Sequence, residues 1–178
     1  MRITKVELYD KYYSTYPQPA NLYKEDKEMP NHCHNRVTFY SANTDAVAKL
    51  KQIFTDENCF TQIIPEPDWH NTPLAESDVQ KYSFSAPRGK VGELPKKDPD
   101  SPFATYRFAS GEADDRWYDW RLQNWDTKWD CYDVVVTDDD PESVEIEFNT
   151  AWSPPEAICN QIREDYPDVS VSWFYDEP

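Results

Sequence analysis

The chain has 178 residues, and its 34 acidic and 18 basic side chains give a formal net charge of −16 at pH 7. The length favours one domain, and 7 Trp, 12 Tyr and 8 Phe supply the apolar surface for its core. The charge disfavours binding to nucleic-acid phosphates or anionic membranes. No apolar run reaches the length of a membrane span, and three glycines exclude the paired-glycine loops of nucleotide sites, so we expect no cofactor.

The first 28 residues are predicted to form an arm that precedes the domain. Thr4, Val6 and Leu8 alternate along one face of a short stretch, which indicates an edge strand. Such a strand could pair with the sheet edge of a second copy, so self-association through the arm is one hypothesis. Residues 29–178 are then expected to form a single domain.

The first half of this domain is predicted to hold one strand, one helix and a long insertion. Residues 35–41 alternate as a strand, and residues 45–54 have helical spacing of their apolar side chains. Residues 61–65 indicate a short strand or an extended segment. Residues 67–111 are rich in proline, serine and lysine, which predicts a loop-rich insertion with room for a short hairpin.

The second half is predicted to contain a helix, a hairpin, a helix and a strand. Residues 112–125 indicate a helix, and residues 131–137 and 143–152 indicate two strands joined by a turn at 138–141. Ser153 and Glu156 form the S-x-x-E pattern of a capping box, which predicts a helix running to about residue 165.

A last strand is predicted at residues 169–175. Without the insertion and the helix that follows it, the order is β-α-β-β-α-β. The sequence therefore predicts an α+β fold with a ferredoxin-like core and an antiparallel sheet.

The cysteines and histidines offer weak metal-ligand candidates. Four widely spaced cysteines without a C-x-x-C pair favour reduced thiols in a bacterial cytoplasm, with a zinc site or two disulfides as the alternatives. His32 and His34 would point to the same side of an extended chain, which suits Zn²⁺ or Ni²⁺. No spacing supplies the remaining ligands, so we expect a structural role for these two histidines.

Three segments together carry a resemblance to a known family. They are M-P-N-H with N-R-V-T-F from residue 29, N-W-D-T-K-W from residue 124 and T-A-W-S-P-P from residue 150. This pattern resembles a YubB-like family of bacteriophage and plasmid proteins of unknown function with a ferredoxin-like domain. The resemblance runs from about Met29 to the C-terminus outside the insertion, and it implies a mobile-element origin and a fold but no activity.

One departure from the family pattern concerns the backbone. The family usually has glycine where this chain has Asp126, which suggests a left-handed conformation that Asp tolerates at modest cost. The family also tends to begin at the M-P-N-H segment, so residues 1–28 are either an added arm, which we favour, or the product of a start codon placed too early.

The carboxylates between residues 113 and 147 are the strongest compositional signal. A dense acidic surface can be simply solvated, or it can meet a basic partner. We predict binding to a basic host protein in the bacterial cytoplasm, with nucleic-acid mimicry of a host nucleic-acid-binding enzyme as one version. The predicted partner-binding residues are Asp138, Asp139, Asp140, Glu142, Glu145 and Glu147.

The tryptophans define a second candidate site. Most are expected in the core, but Trp125, Lys128, Trp129 and Trp152 are a candidate pocket. One alternative function is single-stranded nucleic-acid binding through these rings. Another is that of a metal-dependent enzyme or metal-binding protein with its site around His32 and His34. No catalytic motif stands out, so we do not expect an enzyme.

Overall fold

The fold is organised around one four-stranded antiparallel sheet, described by a computed structural model for residues 32–80, 87–101 and 105–176. The strands are β1 His32–Tyr40, β2 Lys96–Lys97, β3 Tyr106–Arg107, β4 Tyr132–Asp140, β5 Ser143–Ala151 and β6 Ser170–Asp176. The helices are α1 Thr44–Thr55, α2 Cys59–Ile63, α3 Glu76–Val79, α4 Arg116–Asn124 and α5 Glu156–Asp165. The predicted N-terminal arm lies outside the described residues and stays a prediction.

The strand order in the large sheet is β4-β5-β1-β6. Each neighbouring pair is antiparallel, and α1 and α5 connect β1 to β4 and β5 to β6 in the chain. This is the split β-α-β-β-α-β arrangement of ferredoxin-like domains. The predicted α+β, ferredoxin-like fold is therefore confirmed.

One face of the sheet is covered and the other is open. Val144, Ile146 and Phe148 of β5 are buried while the residues between them are half-buried, as strand alternation requires. The helices α1 and α5 pack on the buried face through apolar side chains at helical spacing, which are Val47, Leu50, Ile53, Phe54, Ile158 and Ile162. This packing leaves the alternate strand residues on the second face, where a partner can reach them.

Three predicted elements have different bounds in the structure. The predicted extended segment at 61–65 is wrong in its first half, because the five-residue helix α2 ends at Ile63 and is too short to show a helical period. The predicted turn at 138–141 is largely strand, since β4 continues to Asp140. The predicted helix at 112–125 begins only at Arg116.

The predicted capping box at Ser153 is also wrong. Helix α5 begins at Glu156, its N-cap is Pro155, and no side chain of that residue can cap it. Instead Asp126 Oδ2 accepts a hydrogen bond from the Ala157 backbone N–H at 2.8 Å. A cap that comes from a residue so distant in the chain leaves no local pattern.

The described parts of the insertion are held to the sheet domain by buried arginines. Arg116, 3% exposed, donates to both carboxylate oxygens of Asp114 and to the Trp69 carbonyl. Arg88 donates to Asp115 Oδ1 at 2.8 Å. Charge-assisted bonds of this kind anchor a segment that contributes few apolar side chains to the core.

The residues just before the insertion contact the helix that follows it. Arg121 of α4 donates to Glu66 Oε2 at 2.6 Å, and the indole N–H of Trp125 donates to the Ile64 carbonyl at 3.0 Å. These bonds hold the start of the insertion beside α4. No helix in the described part of the chain has the length and apolar composition that a bilayer crossing needs.

Candidate interaction surface on the β4–β5 hairpin

The strands β4 and β5 form a long hairpin at one edge of the sheet. Each strand has nine residues, and β4 pairs only with β5 within the large sheet. Asp140 faces Ser143 and Asp138 faces Glu145 across the hairpin. Among the described residues β4 is therefore an edge strand, and acidic residues at the end of an edge strand resist edge-to-edge aggregation.

Residues 138–142, here called the hairpin tip, carry four exposed carboxylates. These are Asp138, Asp139, Asp140 and Glu142. Lys51 of α1 pairs with Asp139 at 2.5 Å, on the helix side of the sheet. Among the described residues, no ion pair to a basic side chain is formed by Asp138, Asp140 or Glu142, so the tip presents uncompensated negative charge.

The other two predicted partner-binding carboxylates lie further along β5, on the open face. Glu145 accepts hydrogen bonds from the hydroxyls of Thr137 at 2.8 Å and Thr38 at 3.4 Å. Glu147 lies 4.0 Å from the His34 imidazole. Because both are half-buried and have neighbours within the sheet, they are less available to a partner than the tip is.

His32 and His34 are both exposed on the open face of β1, as expected for an extended chain. His32 Nδ1 forms a hydrogen bond with the Tyr132 hydroxyl, and His34 Nδ1 lies 3.3 Å from Asn149 Oδ1. In the described part of the chain, the one group of three metal-ligating side chains that meet lies elsewhere. The contacts of these two histidines are those of residues that join neighbouring strands.

The opposite end of the hairpin carries an aromatic cage around a lysine. The Lys128 ammonium lies 4.8 Å from the ring centre of Trp129, 5.1 Å from that of Trp152 and 5.6 Å from that of Tyr118. Such distances allow cation–π attraction to all three rings. We call these four residues the Lys128 cage.

The structure brings together three of the four predicted pocket residues and separates the fourth. Trp125 is completely buried and stacks edge-on against Phe60 and Trp120, so it belongs to the core. Tyr118 takes its place, supplied by α4. The helical spacing of the tryptophans does not point to Tyr118, since this residue lies off the face of α4 that they share.

One residue of the Lys128 cage, Trp152, and the nearby Asp126 have left-handed backbone. Trp152 has φ 73° and its side chain is 46% exposed, which is unusual for a bulky residue. Asp126 has φ 60°, as the family's glycine at this position suggested. Backbone strain of this kind persists only where surrounding contacts hold it, and it places an indole on the surface.

Two titratable groups at the start of β4 have raised pKa values. Burial raises the pKa of the Asp130 carboxyl, although hydrogen bonds from the Phe60 and Cys131 backbone N–H groups act in the opposite direction. Burial likewise raises the pKa of the Tyr132 phenol, with the nearby Asp133 carboxylate adding to it.

Comparison with known proteins agrees with this architecture. Residues 124–178, less than half of the chain, match the model of a family described as "Ferredoxin-like domain in Api92-like protein". No curated protein and no solved structure matches the chain. The matched residues contain both ends of the hairpin, α5 and β6, so the chain is similar to a ferredoxin-like family in the part that carries the candidate surface.

Proposed function

We propose that this chain is a non-enzymatic binding protein whose hairpin tip docks on a basic surface of a partner protein. The observation that carries the proposal is the set of exposed carboxylates at the end of an edge hairpin, of which only Asp139 has a lysine partner within the described ranges. Exposed carboxylates at the end of a hairpin attract a basic partner at long range and pair with its arginines and lysines on contact.

Nucleic-acid mimicry is the finer version of this proposal. Side chains on one face of a strand repeat every two residues, at about 7 Å, so Asp138 and Asp140 share a face, while Asp139 lies on the helix side with Lys51. A single strand of B-DNA carries one phosphate charge per about 3.4 Å of helix axis, so the tip supplies a sparser row of the same sign. A groove built for a nucleic-acid strand is basic and therefore offers complementary charge to this edge of the sheet.

The Lys128 cage extends the proposed footprint. It lies at the other end of the same nine-residue strands, about 30 Å from the hairpin tip along the hairpin. Exposed tryptophans are common anchors of protein interfaces. The resemblance to phage and plasmid proteins makes a host nucleic-acid-binding enzyme in the cytoplasm the partner that we favour.

The test is capture of a partner from bacterial lysate at low and high salt, with identification by mass spectrometry. A charge-reversed variant carries Asp138→Lys, Asp140→Lys and Glu142→Lys. Its control carries Asp56→Lys, Glu57→Lys and Glu112→Lys, three exposed acidic residues outside the hairpin. Both variants change the net charge equally, so they differ only in where the charge lies.

We expect the wild type to retain a basic or nucleic-acid-binding protein at low salt and release it as salt rises. The tip variant should lose this partner and the control should keep it. Capture that survives reversal of the tip contradicts the proposal. Equal loss in both variants also contradicts it, because net charge alone would then explain binding. Circular dichroism of each variant verifies that the fold is intact.

A further inference from the structure

Two thiols and a carboxylate meet at the base of the insertion, away from the hairpin tip. The ligand atoms of Cys59, Asp130 and Cys131 all lie within 4.8 Å of one another. Cys59 is the first residue of α2, and Cys131 immediately precedes β4. Within the described ranges no other group of at least three metal-ligating side chains comes this close together.

We propose that Cys59, Asp130 and Cys131 bind a Zn²⁺ ion. Tetrahedral Zn²⁺ takes thiolate sulfur at about 2.3 Å and carboxylate oxygen at about 2.0–2.2 Å, so its donor atoms lie roughly 3.5–3.8 Å apart. The three side chains reach this spacing with small movements of their ends. Three protein ligands leave the fourth position for water, and Asp130 and Cys131 are half-buried, so water has access.

Backbone hydrogen bonds already orient the carboxylate. Asp130 Oδ1 accepts from the Phe60 N–H at 3.0 Å and from the Cys131 N–H at 2.8 Å. Outer hydrogen bonds of this type hold a ligating carboxylate in one direction and strengthen metal binding. They also join the start of α2 to the start of β4, so the donors come from two rigid parts of the domain.

The donor types select the metal. Two sulfurs favour zinc or another soft cation over Mg²⁺ and Ca²⁺, which prefer oxygen ligands. Cys59 is 1% exposed, so a divalent cation bound to its thiolate would offset the cost of burying that negative charge.

The site would act as a clamp. Cys59 lies before the insertion, whereas Asp130 and Cys131 lie after it. An ion bound to all three residues therefore ties together the segment before the insertion and the segment after it. This role is independent of the proposed partner surface, so either proposal can fail without the other.

The test titrates Co²⁺ into metal-free protein under reducing conditions, followed by Zn²⁺ competition. We expect one equivalent of Co²⁺ to give the charge-transfer absorption of thiolate ligands. Zn²⁺ at about a hundredfold excess over its Kd should raise the melting temperature by roughly 5–10 °C. Cys131→Ser should weaken binding by more than about 100-fold, since it removes a direct ligand.

Two further variants keep the test decisive. Asp130→Asn retains the oxygen that accepts from the Phe60 N–H, so it should fold and lose at least about tenfold in affinity. Cys159→Ser removes a buried thiol elsewhere and should bind as the wild type does. Absence of the thiolate absorption at one equivalent overturns the proposal. So does binding that Cys131→Ser and Asp130→Asn leave unchanged.

Discussion

Asp126 destabilises the fold through its left-handed backbone and stabilises it by capping helix α5, and substitutions can separate these two effects. Its left-handed backbone, at φ 60°, disfavours an ordinary side chain. Its carboxylate Oδ2 accepts from the Ala157 N–H at 2.8 Å and so caps a helix whose own N-cap is a proline. Glycine would relieve the first effect and lose the second, alanine would suffer both, and asparagine would keep the acceptor.

The magnitudes follow from these contacts. Loss of an N-cap acceptor costs about 0.5–2 kcal/mol, and a left-handed conformation costs an alanine about 1–2 kcal/mol. Asp126→Ala should therefore lower the free energy of unfolding by about 1–3 kcal/mol, since the wild-type aspartate already bears part of the left-handed cost. Asp126→Gly should lower it by about 0.5–1 kcal/mol, because relief of strain offsets part of the lost cap. Asp126→Asn should stay within about 0.5 kcal/mol of the wild type.

Urea unfolding followed by circular dichroism gives the free energy of unfolding of the wild type and the three variants. The dependence of this free energy on urea concentration should be the same for all four proteins, which verifies that only stability changes. The expected order of stability is Asp or Asn, then Gly, then Ala. An alanine variant as stable as the wild type would refute the capping role. A glycine variant more stable than the wild type would show that strain outweighs the cap at this position.

Two other predictions concern the Lys128 cage and the insertion. Lys128→Met should lower the free energy of unfolding by about 1–2 kcal/mol and change tryptophan fluorescence, because it removes three cation–π contacts. Lys128→Arg should keep most of the stability. A Met variant as stable as the wild type would contradict the stabilising role of these contacts. The hydrogen bond from Arg107 lowers the pKa of Asp98. The resulting stabilisation is present above the unfolded pKa and lost as pH falls through the folded pKa. Arg107→Leu should raise that pKa in a carboxyl ¹³C NMR titration and move acid unfolding to higher pH, and an unchanged titration would contradict this assignment.

Much of the sheet domain follows from local pattern. Val144, Ile146 and Phe148 alternate with polar residues, and the structure buries all three. The apolar spacing from Val47 to Phe54 likewise predicts the buried face of α1. These elements are predictable because a two-residue or 3.6-residue period decides which side chains meet the core.

The candidate surface depends more on contacts between distant residues. Sequence alone does not distinguish Trp125, which fills the core, from Trp129, which lies 42% exposed. Nor does it place Tyr118 in the Lys128 cage, since Tyr118 and Trp152 come together around Lys128 only in the folded chain. Cys59 and Cys131 are similarly distant in sequence, so their proximity carries no spacing signal.

The contact between Arg116 and Trp69 makes the residues between them a closed loop. Arg116 Nη2 donates to the Trp69 carbonyl at 2.9 Å, so the two ends of this segment meet. Doubling the length of a closed loop costs only about 0.6 kcal/mol in entropy. A change in the length of this segment should therefore cost little stability and leave the register of the sheet unaltered.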